Sequence, residues 1–304
     1  MHFTLVKINP ENAHPSHGFD DVILPLYCAL RRLGFAVEIL FNRVNGKSRN
    51  IVFGSCITPR RTGRMLPGGS IVFNLEQIVP GNKWANSEYL AHLRGFDVWD
   101  YSPANTRELR LAGVASATCV PLGYVPEMTR LAQDCPAEVE ALFYGLVSDR
   151  RHTLMQRLLQ RGVRVLCPGE AFGDLRDRLL TRSRLVLNIH NVVPARLEMA
   201  RLGYVWANRK AVLSEAGEGD EIPDDLREAC VFAAYDDFPE TAARLLTDRN
   251  KLERQAGAGF RAFAARPLAR TLEGIVGRRV YPASGVAERA MPPLREWLIT
   301  DDML

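Results

Sequence analysis

A chain of 304 residues is long enough for one large domain or two of ordinary size, and it can bury a sizeable core. Its 47% apolar and 24% charged residues give the balance of a soluble globular protein. The 39 basic and 35 acidic residues leave a net charge of only +4, with arginines spread along the chain, so charge gives no support to a nucleic-acid-binding face.

Residues 3–8 read as a first strand, followed by a polar loop with His14 and His17 and then the acidic pair Asp20 and Asp21. Over 19–33, Val22, Leu26, Leu30 and Leu33 recur on one helical face and Gly34 supplies the stop. Pro25 inside that pattern predicts a late start or a kink. Short strands follow over 35–40, 51–54, 71–75 and 98–101, then a helix over 103–111 and a strand over 118–121. Strands alternating with helices predict a parallel sheet with βαβ crossovers.

Residues 124–136 carry no strong period and read as a connection. The pattern then restarts with a strand over 139–144, Gly145, and a helix capped by Ser148 and ended by Gly162. Further strands are expected over 163–167, 185–189, 211–213 and 231–234. Helices are expected over 172–181, 194–206, 224–229 and 249–265, with one more opened by Asp237 and Pro239. The result is an α/β fold of two Rossmann-like domains, 1–125 and 137–275, with a tail over 276–304 folding back and Trp297 packing on one of them. A cleft between two such halves is the default ligand site.

Residues 185–215 organise the second half. Pro is favoured at the first helical position, so Pro194 places Glu198 about one turn into its helix. Ligands of open α/β sheets sit at strand carboxyl ends and helix N-termini. A carboxylate there opposes a phosphate but suits the hydroxyls of a ribose; the alternative is a solvated helix carboxylate paired with Arg201. Gly145 followed by Arg150 and Arg151 fits a diphosphate site, because glycine admits close backbone approach and arginine adds fixed charge. Two solvated arginines are the plainer alternative.

The six cysteines form no C-x-x-C pair and several sit in apolar runs, which predicts buried thiols and a reducing compartment. The N-terminus lacks a charged region and cleavage site, and no apolar run spans a membrane, so a cytoplasmic protein is expected. No His/Cys spacing suggests zinc, neither a P-loop nor G-x-S-x-G occurs, and Gly145-Leu-Val-Ser is not a dinucleotide fingerprint.

The run Phe143-Tyr-Gly145-Leu-Val-Ser-Asp-Arg150-Arg151 resembles the donor-domain loop of GT-B glycosyltransferases. So do Leu187-Asn-Ile-His190 running on to Leu197-Glu198-Met-Ala, and Ala211-Val-Leu-Ser-Glu215. Tyr101-Ser-Pro103, Pro121-Leu-Gly123-Tyr and Asn74-Leu-Glu76-Gln add to the likeness. Together they are similar to bacterial glycosyltransferase family 1 and CgeB-like proteins over residues 70–270. The resemblance implies two Rossmann-like domains facing a cleft. The second would hold a nucleotide-sugar, a UDP-sugar first, with Gly145, Arg150, Arg151, Asn188, His190, Glu198 and Glu215. The first would hold an acceptor that is a small molecule, glycan, protein or modified nucleic acid. The absence of Asp-x-Asp argues against the metal-dependent GT-A class, and no cofactor beyond the co-substrate is expected.

Retaining members often carry two Glu separated by seven residues, the second contacting the ribose. Glu198 fits the second position and His190 stands at the first, which leaves retaining and inverting outcomes both open. Inverting members place a base His in the loop after the first strand. Here His17, oriented by Asp20 or Asp21, suits that role, since an imidazole titrates near neutrality and can take a hydroxyl proton. Glu76 and Asp100 are rival bases on the same wall, unless either simply caps a helix. A nucleotide-sugar epimerase or hydrolase, and a non-catalytic nucleotide-binding subunit, are the alternatives on the same fold.

Overall fold

Two sets of short aliphatic strands alternate with amphipathic helices, and each set closes into its own parallel sheet. The computed structural model describes residues 2–9, 14–133, 135–193, 195–216 and 221–277, and the expected tail beyond 277, with Trp297, lies outside them. The first sheet contains β1 (His2–Lys7), β2 (Ala36–Phe41), β3 (Arg49–Phe53), β4 (Ile71–Asn74), β5 (Asp97–Asp100) and β6 (Ala117–Cys119), in the order β2-β1-β3-β4-β5-β6. The second contains β7 (Val139–Leu142), β8 (Val165–Leu166), β9 (Ser183–Asn188), β10 (Ala211–Glu215) and β11 (Val231–Ala233), in the order β11-β10-β9-β7-β8. Between β2 and β3, β1 is buried on both faces from Phe3 to Lys7, as expected of a strand covered by helices on each side.

Around the first sheet lie α1 (Asp20–Arg32), α2 (Pro59–Met65), α3 (Ser87–Leu93) and α4 (Pro103–Leu111). Around the second lie α5 (Asp149–Gln160), α6 (Gly173–Thr181), α7 (Met199–Ala207), α8 (Phe238–Leu246) and α9 (Arg249–Ala264), followed by α10 (Leu268–Val276). The late start expected from Pro25 is not found: α1 begins at Asp20, straight after a 3-10 turn over His14–Phe19, with Pro25 buried in its second turn. The expected helix over 224–229 is a 3-10 turn, Asp224–Leu226. More consequentially, α7 begins at Met199, and Glu198 stands at its N-cap rather than one turn inside.

Three helices had no sequence expectation. α2 and α3 are each seven residues long, too short to show a period. α10 matters more, because it returns the chain to the first sheet. Its Leu268 and Leu272 are buried and α10 packs on α1, although all but its last residue lies within the segment 137–275. Tyr124 N–H donates to the Arg266 carbonyl (2.8 Å) and Leu268 N–H to the Tyr124 carbonyl (3.0 Å), so the two crossings run side by side. A Cβ on Gly123 would lie 2.4 Å from the Arg266 oxygen, so only glycine permits that approach.

One core cluster takes residues from both sheets, including Phe3, Leu5 and Phe53 of the first and Leu142, Val186 and Trp206 from the second half. The connecting segment is tied down: Asn208 accepts from the N–H groups of Arg130 and Leu131 and donates to the Met128 carbonyl. Opposing ends meet where Gln77, just past β4, exchanges hydrogen bonds with the backbone of Arg196 (2.9 and 3.3 Å). Asp21 of α1 pairs with Arg176 of α6 on the other side. Among the described residues no helix is long and apolar enough to cross a membrane. All six cysteines are free thiols; Cys28, Cys56 and Cys230 are buried and Cys135 is exposed.

Candidate functional site

The strand carboxyl ends of the second sheet bring seven sequence-nominated residues together. After β7 the chain passes buried Phe143 and Tyr144 to Gly145, whose φ of +129° suits glycine alone. A Cβ there would lie 2.8 Å from Nη2 of Arg201, so the glycine also makes room for a guanidinium. That guanidinium bonds Glu198 Oε2 (2.9 Å) and Asn188 Oδ1 (3.2 Å) and lies over the Tyr144 ring, 5.1 Å from its centroid. Sequence reasoning treated Arg201 only as a solvent partner for Glu198. Its three-residue spacing from Glu198 was the available signal.

Glu198 is mostly buried, and its other oxygen accepts from Arg151 Nη2 at 3.1 Å. Burial alone would raise this carboxyl, but Arg201 and Arg151 outweigh it and hold it below the usual carboxylate range. The solvated helix carboxylate is therefore not what the structure holds.

Arg151 is buried, and burial pulls it below the usual guanidinium range despite Glu198. It donates through Nε and Nη2 to the Ile189 carbonyl (2.8 and 2.6 Å) and through Nη1 to the Leu146 carbonyl (2.9 Å). It thereby ties the β7–α5 loop to the β9–α7 loop. Arg150 forms a two-pronged pair with buried Glu215 and donates to the His190 carbonyl (3.0 Å), while its guanidinium lies 4.1 Å from the Tyr235 ring centroid. Glu215 also takes the His190 N–H (3.0 Å). Arg150, Arg151 and Arg201 against Glu198 and Glu215 leave one net positive charge, three minus two. The Ser148 side chain makes no cap at α5; its hydroxyl is buried there with no hydrogen-bond partner among the described residues.

On the facing wall, His17 lies in the 3-10 turn with Nδ1 4.0 Å from Asp20 Oδ2 and its ring 5.8 Å from Phe172. Asp20 is held by Lys7 Nζ at 2.7 Å, from a lysine 2% exposed. Asp21 is taken up by Arg176; burial raises its carboxyl despite that pair.

The two rival carboxylates separate. Glu76 Oε1 receives the Cys56 thiol (3.4 Å) and Oε2 the Asn82 amide (3.5 Å), and burial raises its pKa. It caps no helix. Asp100 is fully buried and accepts from Ser102 N–H (2.8 Å), Asn74 Nδ2 (2.6 Å) and Asn105 Nδ2 (2.7 Å), so it fixes the entry to α4.

Burial lifts Asp100 to about 6 from 3.8. A carboxyl raised on folding stabilises below its unfolded pKa and loses that contribution as pH rises through the folded one. From pH 4 to 7 the wild type should therefore lose about 2 kcal/mol relative to Asp100→Asn. Urea midpoints across that range measure it, and a pH-independent difference between the two proteins would count against the assignment.

Among the described residues no group of three or more His, Cys, Asp or Glu is placed to hold a metal ion. No family model matches the chain, and no curated protein matches it. Solved structures do. Sucrose-phosphate synthase from Thermosynechococcus elongatus superimposes with a TM-score of 0.62 at 10% identity, over 90% of this chain and 98% of that one. HepE from Anabaena, in complex with UDP and glucose, gives 0.60 at 11% identity over 90% and 98%. AviGT4, a glycosyltransferase involved in avilamycin A biosynthesis, gives 0.55 at 18% identity over 90% and 96%. The match to TarM (TM-score 0.54, 10% identity) covers 75% of this chain and 53% of TarM, so this chain spans about half that protein's length. At these identities the likeness carries the fold: two facing Rossmann-like units in the GT-B arrangement.

Proposed function

We propose that the chain is a glycosyltransferase that moves a sugar from a nucleoside diphosphate to an acceptor hydroxyl. The observation that carries this reading is Glu198, kept ionised between Arg151 and Arg201 behind the Gly145 turn, at the carboxyl end of a parallel sheet. In it, Glu198 accepts from the ribose hydroxyls. The diphosphate lies against the backbone at Gly145, the α5 N-terminus with its unpartnered Ser148 hydroxyl, and the open edges of Arg201 and Arg150. Arg151 is a positioning residue, since its donors point into the protein. Stabilising the departing diphosphate and aligning it with the acceptor lower the barrier.

Because HepE is solved with UDP and glucose, UDP is the first nucleotide to test. A thermal-shift panel of UDP, GDP and TDP should show one that stabilises the protein, by about 2.7 kcal/mol at a hundredfold excess over its Kd. Turnover of the matching nucleotide-sugar should persist in EDTA, since arginines supply the positive charge. A protein that no nucleoside diphosphate stabilises would end this reading. Free sugar or an epimer as the sole product would point to a hydrolase or epimerase, and a shift without turnover to a binding subunit.

A further inference from the structure

We infer that the acceptor is a small, uncharged, largely apolar molecule bearing a hydroxyl group. It occupies a cavity of about 440 Å³ between α1 and α6, in the size range of small-molecule sites. The acceptor role rests on the transferase reading; the binding of such a molecule does not.

Leu24, Ile39, Phe41 and Met128 line the cavity from one side, and Phe172 and Leu175 from the other. Phe41 and Leu175 are 39% and 46% exposed, an unusual exposure for two large apolar side chains on one cavity, and a ligand seated there would cover both. The charged groups around it are engaged with one another. Lys7 holds Asp20, Arg176 holds Asp21, Arg130 faces Asp177 at 3.3 Å, and Glu127 is held by Arg32. Each of the three cations that line the cavity therefore already has a carboxylate. Three basic residues stand against five acidic ones in the lining (Asp20, Asp21, Glu127, Glu170, Asp174), a balance of minus two.

An anionic ligand would have to displace these pairs and would meet surplus negative charge, so phosphorylated and polyanionic acceptors are disfavoured. A neutral apolar body gains contact area and disturbs none of them. His17 also lines this cavity, which puts an imidazole beside any hydroxyl held there. In the transfer step that hydroxyl oxygen bonds the anomeric carbon, the bond from that carbon to the diphosphate breaks, and the hydroxyl proton passes to His17.

The probe is 2-naphthol, with 2-naphthoate as its anionic counterpart on the same ring system. Thermal shift and fluorescence titration on the full chain should show binding of 2-naphthol and none of 2-naphthoate. Leu175→Glu should weaken 2-naphthol by about tenfold or more, while leaving any UDP shift intact. Mass spectrometry should then find a naphthyl glycoside from one of UDP-, GDP- or TDP-glucose. Absence of 2-naphthol binding, equal binding of naphthoate, or indifference to Leu175→Glu would overturn the assignment. Binding without transfer from any of the three donors would overturn the acceptor role. Loss of the nucleotide shift with 2-naphthol binding retained would refute the transferase reading and leave the cavity assignment standing.

Discussion

Glu198→Ala is expected to abolish stabilisation by nucleoside diphosphates and to weaken the ligand-free protein as well. Both effects follow from the same contacts. The carboxylate bonds Arg151 and Arg201 and would have to serve the ribose hydroxyls with its remaining lone pairs. Its removal strands the buried Arg151 guanidinium without a counterion, a change that costs about 3–5 kcal/mol when one partner of a buried pair is deleted. The ligand-free variant is expected to fold with a lower melting temperature. Glu198→Gln keeps the volume and one acceptor but not the charge. It should melt between the alanine variant and the wild type, because one arginine bond survives while the counterion is lost, and bind UDP at least about tenfold more weakly, as expected when a charge-assisted bond is lost. An alanine variant that UDP still stabilises to the wild-type extent would remove Glu198 from the nucleotide site.

The pattern of what the sequence disclosed follows from how each signal is written. Strands of a buried parallel sheet are continuous apolar runs bounded by turn residues, and every strand expected from such a run is found among the described residues. Helices with a long apolar stripe, such as α1 and α5, are equally readable. The start of α7 was misplaced because proline at a first helical position is a preference, and residues 195–198 are irregular. α10 had no expectation although Leu268, Leu272, Ile275 and Val276 recur at helical spacing; it follows Pro267 directly after α9, and its Leu268 and Leu272 close the structure onto α1. At the site, the glycine and the charged residues were nominated by type and position. Their pairing was not legible, since Arg150 with Glu215 and Arg151 with Glu198 are separated by 65 and 47 residues and meet only through the sheet order. The apolar cavity was invisible for the same reason, as α1 and α6 each read as ordinary amphipathic helices.

His17→Ala should lower the rate of transfer to the acceptor by about a hundredfold to ten-thousandfold, the usual contribution of a general base, while leaving the UDP shift unchanged. Glu76→Gln, by contrast, should cost less than about tenfold. The two differ in what surrounds them. His17 borders the apolar cavity, and Asp20, 4.0 Å from it, is anchored by the buried Lys7. The 4.0 Å separation from Asp20 is too long for a hydrogen bond, and a ligand closing the cavity is expected to shorten it, since such bonds tighten in the reacting complex. Glu76 is absent from that cavity's lining, and its oxygens face a thiol and an amide. A base must reach the proton it removes, so proximity to the acceptor ranks ahead of a raised pKa. Parallel kcat measurements on the two variants decide the matter: a large loss at Glu76 with none at His17 would move the base to the β4 wall and place the reacting hydroxyl near Cys56 and Asn82.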